Sequence, residues 1–118
     1  MRQRLVHSIV IALCLGIMAG QAGSSLMGMA AWAAQIVRVS QKGRAFALKT
    51  VEIARGDTLQ FTNEDEFLHQ IYIKSGGMSF DSDEQTPGQT ISVRFPDSGT
   101  FDVRCHIHPT MLLVVTVK

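Results

Sequence analysis

Cys105, His108 and Met111 stand at Cys-x2-His-x2-Met spacing near the end of the 118-residue chain, with Pro109 directly after the His. A thiolate, an imidazole and a thioether in one short loop suit a soft, redox-active ion. Copper(I) favours thiolate and thioether sulfur, and copper(II) accepts imidazole nitrogen. Two His and one Cys with a long axial Met make an electron-transfer copper site. The loop supplies one of the two His, and His69 is available as the other. One Cys and two His would also satisfy zinc, but a thioether suits copper better. Met111 taken singly reads as the first core residue of a last strand. Two positions past His108 and behind Cys105, it reads as the weak axial ligand. Pro109 stiffens the loop by fixing its own φ, which limits ligand rearrangement between oxidation states.

The neighbouring candidates read more plainly. His106 adjoins Cys105, and adjacent residues on an extended segment point to opposite sides, so His106 is expected in a loop or surface role. Met78 is expected to pack in a loop. Glu64-Asp65-Glu66 and Asp81, Asp83 and Glu84 form two acidic clusters. They read as solvated loops, with steering of a basic partner as the alternative. No Ser/His/Asp arrangement, phosphate-binding Gly loop or nucleotide motif is present, and the chain is expected not to be an enzyme.

These residues belong to a small exported domain. Arg2 and Arg4 open the chain, Ile9 to Met18 is apolar apart from Gly16, and Ala31-Trp32-Ala33 fits an A-x-A cleavage site. Residues 1–33 therefore read as a secretory signal peptide, with an uncleaved membrane anchor as the competing reading. Residues 34–118 form the working domain, and the expected location is periplasmic. Losing Arg2 and Arg4 leaves nine of the 11 Lys+Arg against all 10 Asp+Glu, a net charge of −1. Nucleic-acid binding would need a clustered basic face and is not expected. Cys105 becomes the sole Cys, which rules out an internal disulfide and calls for an explanation of a lone thiol in an exported protein.

The elements that must position the site read as strands. Apolar residues alternate over 35–40, 58–63, 90–95 and 100–104, and shorter apolar runs cover 46–53, 69–73 and 111–117. Turns at 41–44, 55–57 and 96–99 separate them, and 74–90 reads as one long connection. The pattern predicts an all-β Greek-key sandwich or barrel of about seven to eight strands. Phe61, Phe95 and Phe101 fall in its core by periodicity. His69 is expected at the mouth of its own strand, and loops at one end of a sandwich converge even when far apart in sequence.

With those residues in place, the chain resembles the cupredoxins, the blue copper family of plastocyanin, pseudoazurin and amicyanin. Cys105-x-x-His108-Pro109-x-Met111 is most similar to the short ligand loop of amicyanin. Phe61 to His69 resembles the stretch leading to the family's first His ligand, and Pro96 to Phe101 resembles the turn and strand that feed the Cys. The resemblance spans roughly 35–118. It implies a mononuclear type 1 copper held by His69, Cys105, His108 and Met111. It also implies single-electron shuttling by a monomer between a donor and an acceptor protein, such as a cytochrome c or a dehydrogenase. Copper delivery or buffering on the same fold is the alternative. A membrane partner is expected only if residues 1–33 remain as an anchor. Two positions depart from the family: Gln70 stands where Asn often follows the first His, and Leu68 stands where Pro often precedes it. The expected Asn brace on the Cys loop is therefore in question.

Overall fold

The computed structural model describes residues 33–118 together with Gly23. The remainder of the expected signal peptide lies outside the described residues. Eight strands are present: β1 (Ile36–Gln41), β2 (Thr50–Ile53), β3 (Thr58–Asn63), β4 (Tyr72–Ser75), β5 (Met78–Asp81), β6 (Thr90–Arg94), β7 (Gly99–Arg104) and β8 (Leu112–Val117). They form two sheets, ordered β1-β3-β6 and β2-β8-β7-β4-β5. The β1–β3 and β2–β8 pairs are parallel and the others antiparallel. The expected all-β sandwich is the observed architecture.

Period-two alternation explains which side chains meet between the sheets. In β3, Leu59, Phe61 and Asn63 point inward and are fully buried. Phe101 and Val103 of β7, and Leu113, Val115 and Val117 of β8, do the same from the other sheet. Phe95 and Phe101 meet edge to face at 5.5 Å, and Phe46 meets Phe61 at 5.7 Å. Burying each such side chain contributes on the order of 1.5–3 kcal/mol, so these faces supply much of the domain's stability.

Three connections differ from the sequence expectation. Residues 74–90 are not one long loop, because β4 and β5 pair as a tight hairpin closed at Ser75 and Met78. Gly76 and Gly77 both take positive φ, 59° and 79°. That is the requirement of a two-residue turn matched to strand twist. The run 46–53 is a strand only from Thr50, where β2 finds β8 as a partner. Phe46 makes a lone bridge to Gln41, and Leu48 remains 39% exposed. His69 is not the first residue of a strand. It makes an isolated antiparallel bridge with Gln85, and regular pairing begins at Tyr72.

One end of the sandwich matters for the site. β7 and β8 pair through Arg104 and Leu112, so residues 105–111 form a loop pinned at both ends by the sheet. The Met111 N–H bonds the His108 carbonyl at 3.0 Å and tightens it.

Candidate metal centre

The pinned loop brings Cys105 and His108 to the segment that carries His69. One donor atom from each of the three residues lies within 4.8 Å of the others. His108 Nδ1 is 3.2 Å from His69 Nδ1 and 3.9 Å from Cys105 Sγ. His69 and Cys105 are buried, while His108 is partly exposed. Met111 is 1% exposed at the foot of the same loop. Cys105 is a free thiol.

The donor set fits a single metal ion. Two nitrogens each about 2.0 Å from one ion lie no more than about 4 Å apart, and a nitrogen and a thiolate sulfur no more than about 4.3 Å. The His–His and Cys–His108 separations fall inside those limits. The outer nitrogen of His69 is already engaged, since Nε2 lies 2.7 Å from Asp65 Oδ2. With its proton there, His69 turns the lone pair of Nδ1 inward. Burial lowers the pKa of His108, as do the nearby His69 and Arg44, outweighing the opposing effect of Asp65. His108 is thus favoured as the neutral imidazole that a metal needs. Phe67 packs edge to face on both rings, 5.3 Å from His69 and 5.2 Å from His108. It fixes the two rings without competing for their nitrogens.

Asp65 is the residue sequence reasoning missed. It was expected in a solvated acidic cluster, but its side chain is only 9% exposed. Burial opposes its charge, yet the Gly43 N–H, the His69 ring and the Arg44 N–H outweigh that and hold the carboxyl below its ordinary pKa. Its backbone N–H donates to Asn63 Oδ1 at 2.9 Å, a local turn that aims the carboxylate inward. Its neighbours Glu64 and Glu66 are exposed, as expected.

A buried amide layer lies beside this site. Gln85 exchanges two backbone bonds with His69, at 3.0 and 2.8 Å. The Gln85 side chain donates to the carbonyls of Phe61 and Gln89 and accepts from Gln41 Nε2 at 2.6 Å. Asn63 Nδ2 donates to the carbonyls of Phe67 and Gln85. Gln41, Asn63, His69 and Gln85 are all fully buried. These amides tie the His69 loop to β1, β3 and the strand-free segment before β6.

The remaining candidates lie around the rim. His106 is exposed, stacks on Tyr72 at 3.9 Å and lies 3.5 Å from Asp81. It has the surface role that alternation predicted. Met78 is a β5 residue packed against the core. Gln70 donates to Asp81 Oδ1 and to the Ser82 carbonyl, each at 2.7 Å. It braces the end of β5, a longer side chain reaching a different neighbour from the expected Asn. Ile107 is 41% exposed, and Pro109 is exposed beside it.

Comparison with known proteins agrees with the geometry. The family described as copper binding proteins, plastocyanin/azurin family, matches residues 33–118. Amicyanin-alpha of Methylorubrum extorquens is 34% identical over 77 residues, covering 62% of this chain and 64% of that protein. A chloroplastic plastocyanin of Fritillaria agrestis is 26% identical over 108 residues, covering 82% and 65%. The chain therefore spans just under two thirds of the length of each of these relatives. The crystal structure of amicyanin from Paracoccus versutus superposes with a TM-score of 0.65 at 26% identity, covering 70% of this chain and 81% of that one. On this fold, this donor set and this match, the chain belongs to the plastocyanin/azurin family of copper-binding proteins, the cupredoxins, and its cofactor is copper at a type 1 site.

Proposed function

We propose that the protein is an exported one-electron carrier that works in the periplasm after loss of residues 1–33, and that it has no substrate of its own. The observation that carries this reading is the convergence of one donor atom each from His69, Cys105 and His108 within 4.8 Å, at one end of the sandwich. Copper, when bound, supplies the Cu(II)/Cu(I) couple. Cys105 would hold it as the strong thiolate ligand, His69 and His108 would complete the trigonal set, and Met111 would be the weak axial contact.

The surroundings support a carrier. The ligand loop is pinned by the Arg104–Leu112 pair, and His69 is clamped by Asp65, Gln85 and Phe67. A scaffold that holds its ligands in place costs little reorganisation when the charge on the ion changes. His108 is the partly exposed member of the set, flanked by exposed Ile107 and Pro109. That rim is where a redox partner would meet the protein.

Clamped ligands favour retention of the ion over delivery. The test is electrochemical cycling of the copper-loaded domain with a competing chelator in solution. A carrier keeps its signal through many cycles. Transfer of the metal to the chelator within a few cycles would favour a delivery or buffering protein and overturn this reading. Met111→Leu should keep the colour and move the potential, and an unmoved potential would remove Met111 from the ligand set.

A further inference from the structure

Asp65 links the metal centre to the loop between β1 and β2. Its carboxylate lies 2.7 Å from His69 Nε2 on one side. On the other, it accepts the Gly43 N–H at 2.7 Å and the Arg44 N–H at 3.2 Å. Two consecutive backbone N–H groups meet one anion in a tight turn in which both residues take positive φ, 64° at Gly43 and 57° at Arg44. Such a backbone concavity is an anion-binding nest. Glycine adopts this conformation freely, whereas for Arg it is unfavourable. The Arg44 guanidinium lies over the Phe67 ring at 4.5 Å from its centroid, and Phe67 packs on both His rings. The loop thus reaches the site twice, through its backbone to Asp65 and through its side chain to Phe67.

We propose that Asp65 is a positioning and tuning residue for His69, and that the Gly43-Arg44 nest exists to hold it there. This rests on the copper reading above. The carboxylate accepts the Nε2 proton, so His69 is locked in the tautomer that presents Nδ1 to the ion. Its negative charge makes the imidazole a stronger donor and favours copper(II) over copper(I). Carboxylates behind metal-bound His act in this way elsewhere, and losing one costs about 10- to 100-fold in affinity or activity.

Two measurements on the full chain test this. The first is long-range 1H–15N NMR of the copper-free protein. His69 should carry its proton on Nε2, with that proton exchanging far more slowly than the ring protons of exposed His106. A proton on Nδ1, or exchange as fast as that of His106, overturns the proposal. The second is the potential of Asp65→Asn, a near-isosteric change that removes the charge. The ratio of copper(II) to copper(I) affinity should fall at least tenfold, a rise of about 59 mV for one electron, while the thiolate–copper band persists. A ratio changed less than twofold overturns the tuning role. Failure of the wild-type chain to form that band would sink the copper reading instead, and the NMR measurement would still decide the tautomer.

Discussion

Gln85→Leu should destabilise the domain by at least about 3 kcal/mol. The Gln85 side chain makes three hydrogen bonds, to Gln41 Nε2, the Phe61 carbonyl and the Gln89 carbonyl. Each such bond contributes about 1 kcal/mol net. The substitution also strands the Gln41 amide, because Gln41 Oε1 already has no partner among the described residues. A stranded buried group costs a further 1–3 kcal/mol or so. Against this, the apolar Leu recovers on the order of 1 kcal/mol by burial. For a domain of this size, 3 kcal/mol lowers Tm by roughly 12–24 °C. Gln41→Leu should cost less, since it removes one bond and the unpaired oxygen, although it leaves Gln85 Oε1 without its donor. The Gln41→Leu/Gln85→Leu double variant should be more stable than Gln85→Leu alone, because replacing both partners leaves neither stranded. The assay is urea denaturation of the copper-free protein, which removes stabilisation by the metal from the comparison. A cost below 1 kcal/mol for Gln85→Leu, or a double variant less stable than Gln85→Leu, would refute the reasoning.

Two further perturbations follow from the same structure. Asp57 accepts the N–H groups of Gln35 and Ala54, which hold its carboxyl below the ordinary value. A lowered folded-state pKa gives stability that is fully present above the unfolded value and lost as pH falls through the folded one. Wild type should therefore exceed Asp57→Asn in stability near neutrality, with the gap closing on acidification. A gap that widens toward low pH would contradict the assignment. In the β4–β5 turn, a Cβ at Gly76 would lie 2.6 Å from the Thr100 carbonyl oxygen, whereas a Cβ at Gly77 meets nothing within 4 Å. Gly77→Ala should cost on the order of 1–2 kcal/mol for its positive φ. Gly76→Ala should cost clearly more, and equal costs would refute the proposed clash.

What the sequence disclosed and what it hid have separate physical causes. Residues 58–63 and 100–104 alternate cleanly because each has one face in the core, and the fold class follows from that. The Cys105, His108 and Met111 spacing was legible because a short loop keeps nearby ligands together. The β5 strand was hidden because Met78-Ser79-Phe80-Asp81 is brief, although the Gly76-Gly77 pair was a usable turn signal. Asp65, Gln41 and Gln85 were hidden for a deeper reason. Polar residues in loops or at strand ends read as solvated, and only the tertiary structure shows their partners to be buried. The Asn63-to-Asp65 turn was the one local hint that Asp65 faces inward.

The most direct measurement is the visible spectrum of the domain after one equivalent of copper(II), for wild type and Cys105→Ser. An intense blue or green charge-transfer band in wild type, bleached by reductant, restored by oxidant and absent from Cys105→Ser, is the predicted result. A pale wild-type solution, or a band that survives in Cys105→Ser, would contradict a thiolate–copper site at Cys105.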